Sequence, residues 1–168
     1  MIKFNTVYIG LGSNLGRRLD YIKKAIDFIS GLNSTSINAF SSICESEPYG
    51  NVTQPKFLNC VLKLNTTTEP FDLLTKLKNI EKNMGREKAK RWDPRVIDID
   101  ILLYNDLIMD SPELKIPHPD LLNRDFVIKP LLELDENIVH PVKNKKISEL
   151  VKDKQLGGKV LFYTKLND

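Results

Sequence analysis

The run Arg95-Val96-Ile97-Asp98-Ile99-Asp100-Ile101-Leu102-Leu103 constrains this chain more than any other stretch. Read at the two-residue period of a strand, Ile97, Ile99, Ile101 and Leu103 share one uninterrupted apolar face, while Val96, Asp98, Asp100 and Leu102 share the other. The apolar face needs a core laid against it. Two carboxylates then stand on the opposite side, their anchors roughly 6–7 Å apart, twice the strand rise. At an effective dielectric near 20, two such charges repel by about 2.5 kcal/mol. A divalent cation between them, or two about 3.5–4 Å apart, would turn that repulsion into ligation. Just upstream, residues 82–95 carry Lys82, Arg86, Lys88, Lys90, Arg91 and Arg95 against only Glu87 and Asp93. The whole chain has a net charge of +3, so this segment alone accounts for its excess. Carboxylates able to hold magnesium beside a cluster of cations point to a polyphosphate site.

The other elements are placed by periodicity. Residues 4–11 alternate, with Val7, Ile9 and Leu11 on one face and Tyr8 and Gly10 on the other. The turn Gly12-Ser13-Asn14-Leu15-Gly16 leads into a helix over 17–31, with Leu19, Ile22, Ile26 and Ile29 at helical spacing and Gly31 as its stop. A second strand covers 36–46, and a long proline-bounded loop follows. The third strand, 57–64, sets Leu58, Cys60, Leu62 and Leu64 against Phe57, Asn59, Val61 and Lys63. Pro70 opens a second helix with the stripe Leu73, Leu74, Leu77, Ile80 and Met84, and Gly85 ends it. With the Asp98/Asp100 strand, the order is β-α-β-β-α-β. That order predicts an α+β, ferredoxin-like fold: an antiparallel sheet with helices on one face and the substrate site on the other side, where Phe57, Asn59, Asp98 and Asp100 look out. Beyond it, a short strand at 107–109, an extended 116–119, a helix over 125–134 interrupted at Pro130 and a short helix at 147–153 are expected.

At 168 residues the chain is read as a single domain, 1–168, long enough for a proper core. Its 41% hydrophobic and 28% charged residues are ordinary for a soluble globular protein. Cys44 and Cys60 have no metal-ligand spacing and read as small buried hydrophobes of a reducing compartment. No signal peptide and no membrane span are visible, so the expected location is cytoplasmic. The glycine turn matches neither the dinucleotide-binding nor the Walker pattern and is read as structural. His118, between Pro117 and Pro119 and near Lys115 and Arg124, suits a phosphate contact, whereas His140 is read as structural. Phe57 beside Asn59 suits a flat heterocycle with hydrogen-bonding edges.

Taken together, Gly12-Ser13-Asn14-Leu15-Gly16, Glu47-Pro48-Tyr49-Gly50, Phe57-Leu58-Asn59, Gly85-Arg86, Arg91-Trp92-Asp93-Pro94-Arg95 with Asp98-Ile99-Asp100-Ile101-Leu102, and Pro117-His118-Pro119 followed by Arg124 and Phe126 resemble the 6-hydroxymethyl-7,8-dihydropterin pyrophosphokinases of folate biosynthesis. The motifs run in the family's order over roughly residues 5–145. The resemblance implies transfer of diphosphate from MgATP to the pterin hydroxymethyl group, with AMP as the other product. It implies two magnesium ions on Asp98 and Asp100, with Arg86 and Arg95 joining them as catalytic residues. It implies a pterin site of Ser46, Pro48, Tyr49, Phe57, Asn59, Trp92 and Phe126, with Phe57 and Phe126 sandwiching the ring. It implies an ATP site of Arg86, Lys88, Arg91, Arg95, Ile99, Lys115, His118 and Arg124. The loops around 48–56 and 85–93 would close as lids. Asp93 departs from the small residue usual in the family, and Phe57 from the frequent Tyr. No general base is assigned. The partners implied are small molecules only, with no nucleic acid and no membrane, for a chain acting as a monomer.

Two other readings of the residues stay open. The same element order serves RNA-binding modules, although no RNP1 segment is present and carboxylates on the open face repel phosphate. A different two-metal phosphoryl enzyme, such as a nucleotidyltransferase or nuclease, would use the same pair of Asp residues.

Overall fold

The computed structural model describes residues 3–50, 53–86 and 93–164. Its centre is a pair of antiparallel strands, β1 (Asn5–Ser13) and β4 (Phe57–Thr66), in continuous register from Asn5 opposite Thr66 to Ser13 opposite Leu58. On the far side of β1 lies β5 (Asp98–Tyr104), and on the far side of β4 lie β2 (Thr35–Phe40) and β3 (Ile43–Ser46). A last strand, β10 (Val160–Thr164), pairs with β3 and forms that edge. All of these pairings are antiparallel.

Two helices cover one face. α1 (Arg18–Ser30) and α2 (Pro70–Asn83) place Ile22, Ala25, Ile29, Leu73, Leu77 and Ile80 over Val7, Ile9 and Leu11 of β1, Leu58, Cys60, Leu62 and Leu64 of β4, and Ile97, Ile99 and Ile101. Nearly all of these side chains are fully buried. At about 1.5–3 kcal/mol for each large apolar group taken out of water, this layer is the main source of stability. Pro70 sits in the first turn of α2, where its missing N–H costs nothing.

The opposite face is not wholly open. α3 (Asp125–Leu134) lays Val127, Ile128 and Leu131 on Tyr8, Val61, Leu102 and Leu103, and α4 (Ile147–Val151) adds Ile147. That leaves only the remainder of that face uncovered. The apolar Tyr8, Val61 and Leu102 on the supposedly free face explain why a second layer forms there. α3 also runs through Pro130 without a break, and Pro130 is buried. The smaller elements are the hairpins β6 (Met109–Asp110) with β7 (Lys115–Ile116) and β8 (Val139–His140) with β9 (Lys145–Lys146), and a 3-10 turn at Leu121–Asn123.

Two expectations change in detail. The single strand over 36–46 is split into β2 and β3, and its register against β4 slips between Ile37 and Ala39 and again before β3. Ser41 fills the gap: its N–H donates to Val61 O at 2.9 Å and its Oγ accepts from Val61 N at 2.9 Å. Leu103 leaves the face of Ile97, Ile99 and Ile101. Tyr8 pairs with Leu103 and Ile9 with Ile101, so Leu102 is an extra residue in β5, a bulge that turns Leu102 and Leu103 to the second layer and Tyr104 back to the first.

Candidate active site

Beyond the edge of α3, the open part of the sheet forms a cleft of about 200 Å³. Its floor is β1, β4 and β5. Gly12 pairs with Asp98 and Gly10 with Asp100, so each carboxylate stands beside a backbone position that carries no side chain. Gly12 has a specific reason: a Cβ there would lie 3.0 Å from Asn59 Oδ1 and 3.6 Å from the Phe57 ring. Phe57, Asn59, Tyr49, Phe126, Arg95, Asp98, Asp100 and Arg124 all line the cleft. Alternation on β4 and β5 aims their side chains there, and the start of α3 brings Phe126 over the same floor.

The two carboxylates differ. Asp98 accepts from Arg86 Nη1 at 2.8 Å and from Arg95 Nη1 at 2.9 Å. Burial pushes its carboxyl up, but the two guanidiniums outweigh burial and hold it below the usual carboxylate range. Asp100 has no partner so close: Lys78 Nζ and Arg124 Nη1 are each 3.9 Å away and His118 Nε2 is 3.8 Å away. Burial and then the charge of Asp98 push Asp100 above its ordinary value. His118 is driven down by burial and so is neutral near pH 7. Its Nδ1 accepts from Asp120 N at 3.1 Å, which leaves the proton on Nε2, facing Asp100.

Arg124 is wedged between aromatic rings. Its Cζ lies 5.0 Å from the Tyr49 centroid and 5.9 Å from that of Phe126, and Nη2 pairs with Asp120 Oδ2 at 3.0 Å. Its buried Nε has no hydrogen-bond partner among the described residues. Asn59 Nδ2 donates to Ser46 Oγ at 2.8 Å, which directs Oδ1 to the cleft side.

Not every predicted residue reaches the cleft. Ile99 is fully buried beneath α1 and α2, because alternation sends it away from its Asp neighbours. Lys115 pairs with its cross-strand partner Asp110 at 2.7 Å, outside the cleft lining. Ser46 is fully buried and meets the cleft only through Asn59. Pro48 is half-buried and outside the lining. Arg86 and His118 flank the carboxylates from just behind it. Lys88, Arg91 and Trp92 lie outside the described residues.

Three contributors went unread in the sequence. Glu81, with a side chain only 4% exposed, pairs with Arg86 Nη1 at 2.5 Å and Lys78 Nζ at 2.9 Å, and accepts from Ile99 N at 2.6 Å. It sits within the apolar stripe of α2, and a Glu at that position was a visible signal. Lys78 also donates to Ile99 O at 3.0 Å. Asn14, in the glycine turn, accepts from Arg95 N at 2.7 Å, donates its own N–H to Arg95 O at 3.1 Å, and donates its amide to Gln54 Oε1 at 2.9 Å. The turn is structural, as read, and what it holds is Arg95.

Comparison with known proteins bears on this geometry. A sequence profile described as 7,8-dihydro-6-hydroxymethylpterin-pyrophosphokinase (HPPK) matches residues 8–136. The chain is 46% identical over 144 residues to the 2-amino-4-hydroxy-6-hydroxymethyldihydropteridine pyrophosphokinase of Aquifex aeolicus, covering 86% of this chain and 89% of that protein. To the Haemophilus influenzae protein of the same name it is 42% identical over 147 residues, covering 88% and 91% of the two chains. Among solved structures, the Plasmodium falciparum HPPK-DHPS A437G protein superposes with a TM-score of 0.72 at 18% identity. That likeness, which concerns the fold, covers 90% of this chain and 46% of the larger one. This chain is a member of the 7,8-dihydro-6-hydroxymethylpterin-pyrophosphokinase family.

Proposed function

We propose that the cleft transfers diphosphate from ATP to the hydroxymethyl group of 6-hydroxymethyl-7,8-dihydropterin, releasing AMP and the pterin diphosphate of folate biosynthesis. One observation carries the assignment of the site: a carboxylate pair, the guanidiniums of Arg95 and Arg124, and two Phe rings with an amide all face one cleft, with Arg86 paired to Asp98 just behind it. We read the strand order as the ferredoxin-like split βαβ arrangement, with residues 1–168 as one catalytic unit.

The donor set suits magnesium. Two hard carboxylates on one strand face the cleft, and Asp100 holds no close hydrogen-bonded partner among the described residues. Magnesium commonly takes one or two protein carboxylates and completes its shell with phosphate and water. Bound to Asp98 and Asp100, two ions would neutralise charge on the triphosphate. Arg86 and Arg95, fixed by Asp98, then stand where negative charge develops on the transferred group. Glu81 keeps Arg86 from swinging away. Arg124, anchored by Asp120, and the neutral His118 offer donors to phosphate oxygens. Phe57 and Phe126 take the two faces of the pterin, and Asn59 Oδ1 accepts from its edge. Transfer of this kind asks for positioning and charge neutralisation more than covalent chemistry, and these residues provide both.

The test is to incubate the protein with MgATP and the hydroxymethyl pterin and to measure AMP. Pterin-dependent AMP is expected. AMP without pterin would instead indicate another two-metal phosphoryl enzyme, and ADP alone would refute the transfer. Carboxylates at the middle of the open face weigh against RNA binding. In the described residues no helix is long and apolar enough to cross a membrane.

A further inference from the structure

We propose that residues 155–160 form a strap that positions the pterin pocket, with Gly157 and Gly158 setting the rings of Tyr49 and Phe126. This rests on the reading of the cleft given above and extends it to a segment outside the family match, which ends at residue 136.

The strap is bonded to both walls of the pocket. Gly157 N donates to Asn123 O and Asp125 N donates to Gly157 O, each at 2.8 Å, which makes a parallel bridge to Arg124. Lys154 Nζ donates to Asn123 Oδ1 at 2.7 Å. On the other wall, Glu47 N donates to Lys159 O at 3.0 Å. Val160 N then donates to Asp125 Oδ2 at 2.8 Å as the chain enters β10. The backbones of the segments carrying Tyr49 and Phe126 are thereby tied to each other through the strap, in addition to the contact of the rings themselves.

The two glycines lie against the rings. A Cβ on Gly157 would stand 2.7 Å from Tyr49 Cε2 and 2.9 Å from Cδ2. Gly158 has φ +64, and a Cβ there would intrude on the Phe126 ring. The rings meet edge to face, with centroids 6.4 Å apart at 71°, and Arg124 lies against both. A side chain on the strap therefore pushes a ring into the pocket or off its partner. The pterin site should be affected before the nucleotide site, because the carboxylates and their guanidiniums lie on β5 and beside α2 and Arg124, the one nucleotide-facing group beside the strap, keeps its anchor on Asp120.

Gly157→Ala is the test, since the collision there comes from the side chain rather than from a positive φ. Steady-state AMP formation should show the KM for pterin raised by about tenfold or more, with the KM for ATP changed less than about threefold. In a Tyr49→Leu background the same substitution should add less than about twofold, because the ring it collides with is gone. An unchanged pterin KM, equal rises in both KM values, or the full effect persisting with Tyr49→Leu would each overturn the strap's role. If Gly157→Ala melts below the assay temperature, Gly158→Asn carries the same test against Phe126, with Phe126→Leu as its background. Asn tolerates the positive φ. Wild-type protein without pterin-dependent AMP would remove the underlying reading, whereas an active wild type with an unaffected variant would remove only the strap.

Discussion

Asp98 and Asp100 share a cleft but not an electrostatic balance, so their amide variants should part company in stability while both losing activity. Asp98 accepts two guanidinium bonds, at 2.8 and 2.9 Å. In Asp98→Asn one oxygen remains and an NH₂ group faces the second guanidinium. At least one charge-assisted bond, worth about 1.5–3 kcal/mol, is lost. Asp100 has cations only at 3.9 Å, with the neutral His118 at 3.8 Å, and is buried beside the charge of Asp98. Neutralising it removes first the cost of burying a charge and then the repulsion from Asp98, the two causes that hold its carboxyl above the ordinary value against the nearby cations. Its attraction to Lys78, His118 and Arg124 is lost at the same time. Because 32% of its side chain meets solvent, these charge effects are screened, burial decides the sign, and the net gain is about 1 kcal/mol. A chain of this size shifts its Tm by about 2–4 °C per kcal/mol. In EDTA, Asp100→Asn should melt about 2–4 °C above wild type and Asp98→Asn about 3 °C or more below it. Added magnesium should raise the wild-type Tm but leave that of Asp100→Asn nearly unmoved, and neither variant should form AMP at more than a trace of the wild-type rate. Calorimetric melts with and without magnesium, followed by AMP assays, decide the matter. If Asp100→Asn melts as far below wild type as Asp98→Asn, the argument from burial and repulsion is wrong.

Asn14→Ala should strand the Arg95 N–H and free the loop that carries it, costing about 1–3 kcal/mol in a denaturant melt and lowering kcat more than it changes the KM for pterin. Burial pushes the Cys44 thiol up to about 12 and raises Cys60 as well, so neither should react with a thiol reagent at neutral pH until the protein is unfolded. His140, driven down by burial and then by Lys143, accepts from Val142 N and Lys143 N in its neutral form. Its folded pKa is depressed, so its contribution is present above the ordinary histidine pKa and is lost as pH falls through the folded value. Melts at about pH 7 and pH 5 should show a smaller acid loss for His140→Asn than for wild type, because Asn can accept from the same turn without taking up a proton.

What was legible in the sequence followed from alternation. Leu58 through Leu64, Val7 through Leu11, and Ile97 through Ile101 all face the core as their period demands, and Asp98, Asp100, Phe57 and Asn59 share the other side for the same reason. The failures are places where the count slips or a contact is long-range. One extra residue at Leu102 reversed Leu103, and two slips split the strand before β4. Alternation itself placed Ile99 in the core, against its assignment by resemblance to the nucleotide site. Glu81 acts on Arg86 and on the β5 backbone from a helix, and no local pattern reports such a pairing. β10 went unread although Val160, Leu161, Phe162 and Tyr163 have strand character, and the strap before it acts through glycines whose partners lie about 30 and 110 residues away in the chain.

The bulge at Leu102 also isolates one half of β5 from the other. Upstream of it, each carboxylate is addressed by its own partner on β1, Gly12 for Asp98 and Gly10 for Asp100; downstream, Leu103 and Tyr104 are addressed independently by Tyr8 and Val7. Deleting Leu102 would keep both sets of partners on β1 but remove a fully buried side chain of the second core and the carbonyl that accepts from His118 N at 2.9 Å. The strand is thus a joint between two modules. Its outer half belongs to the core beneath α3, and its inner half holds the pair of carboxylates over the glycines.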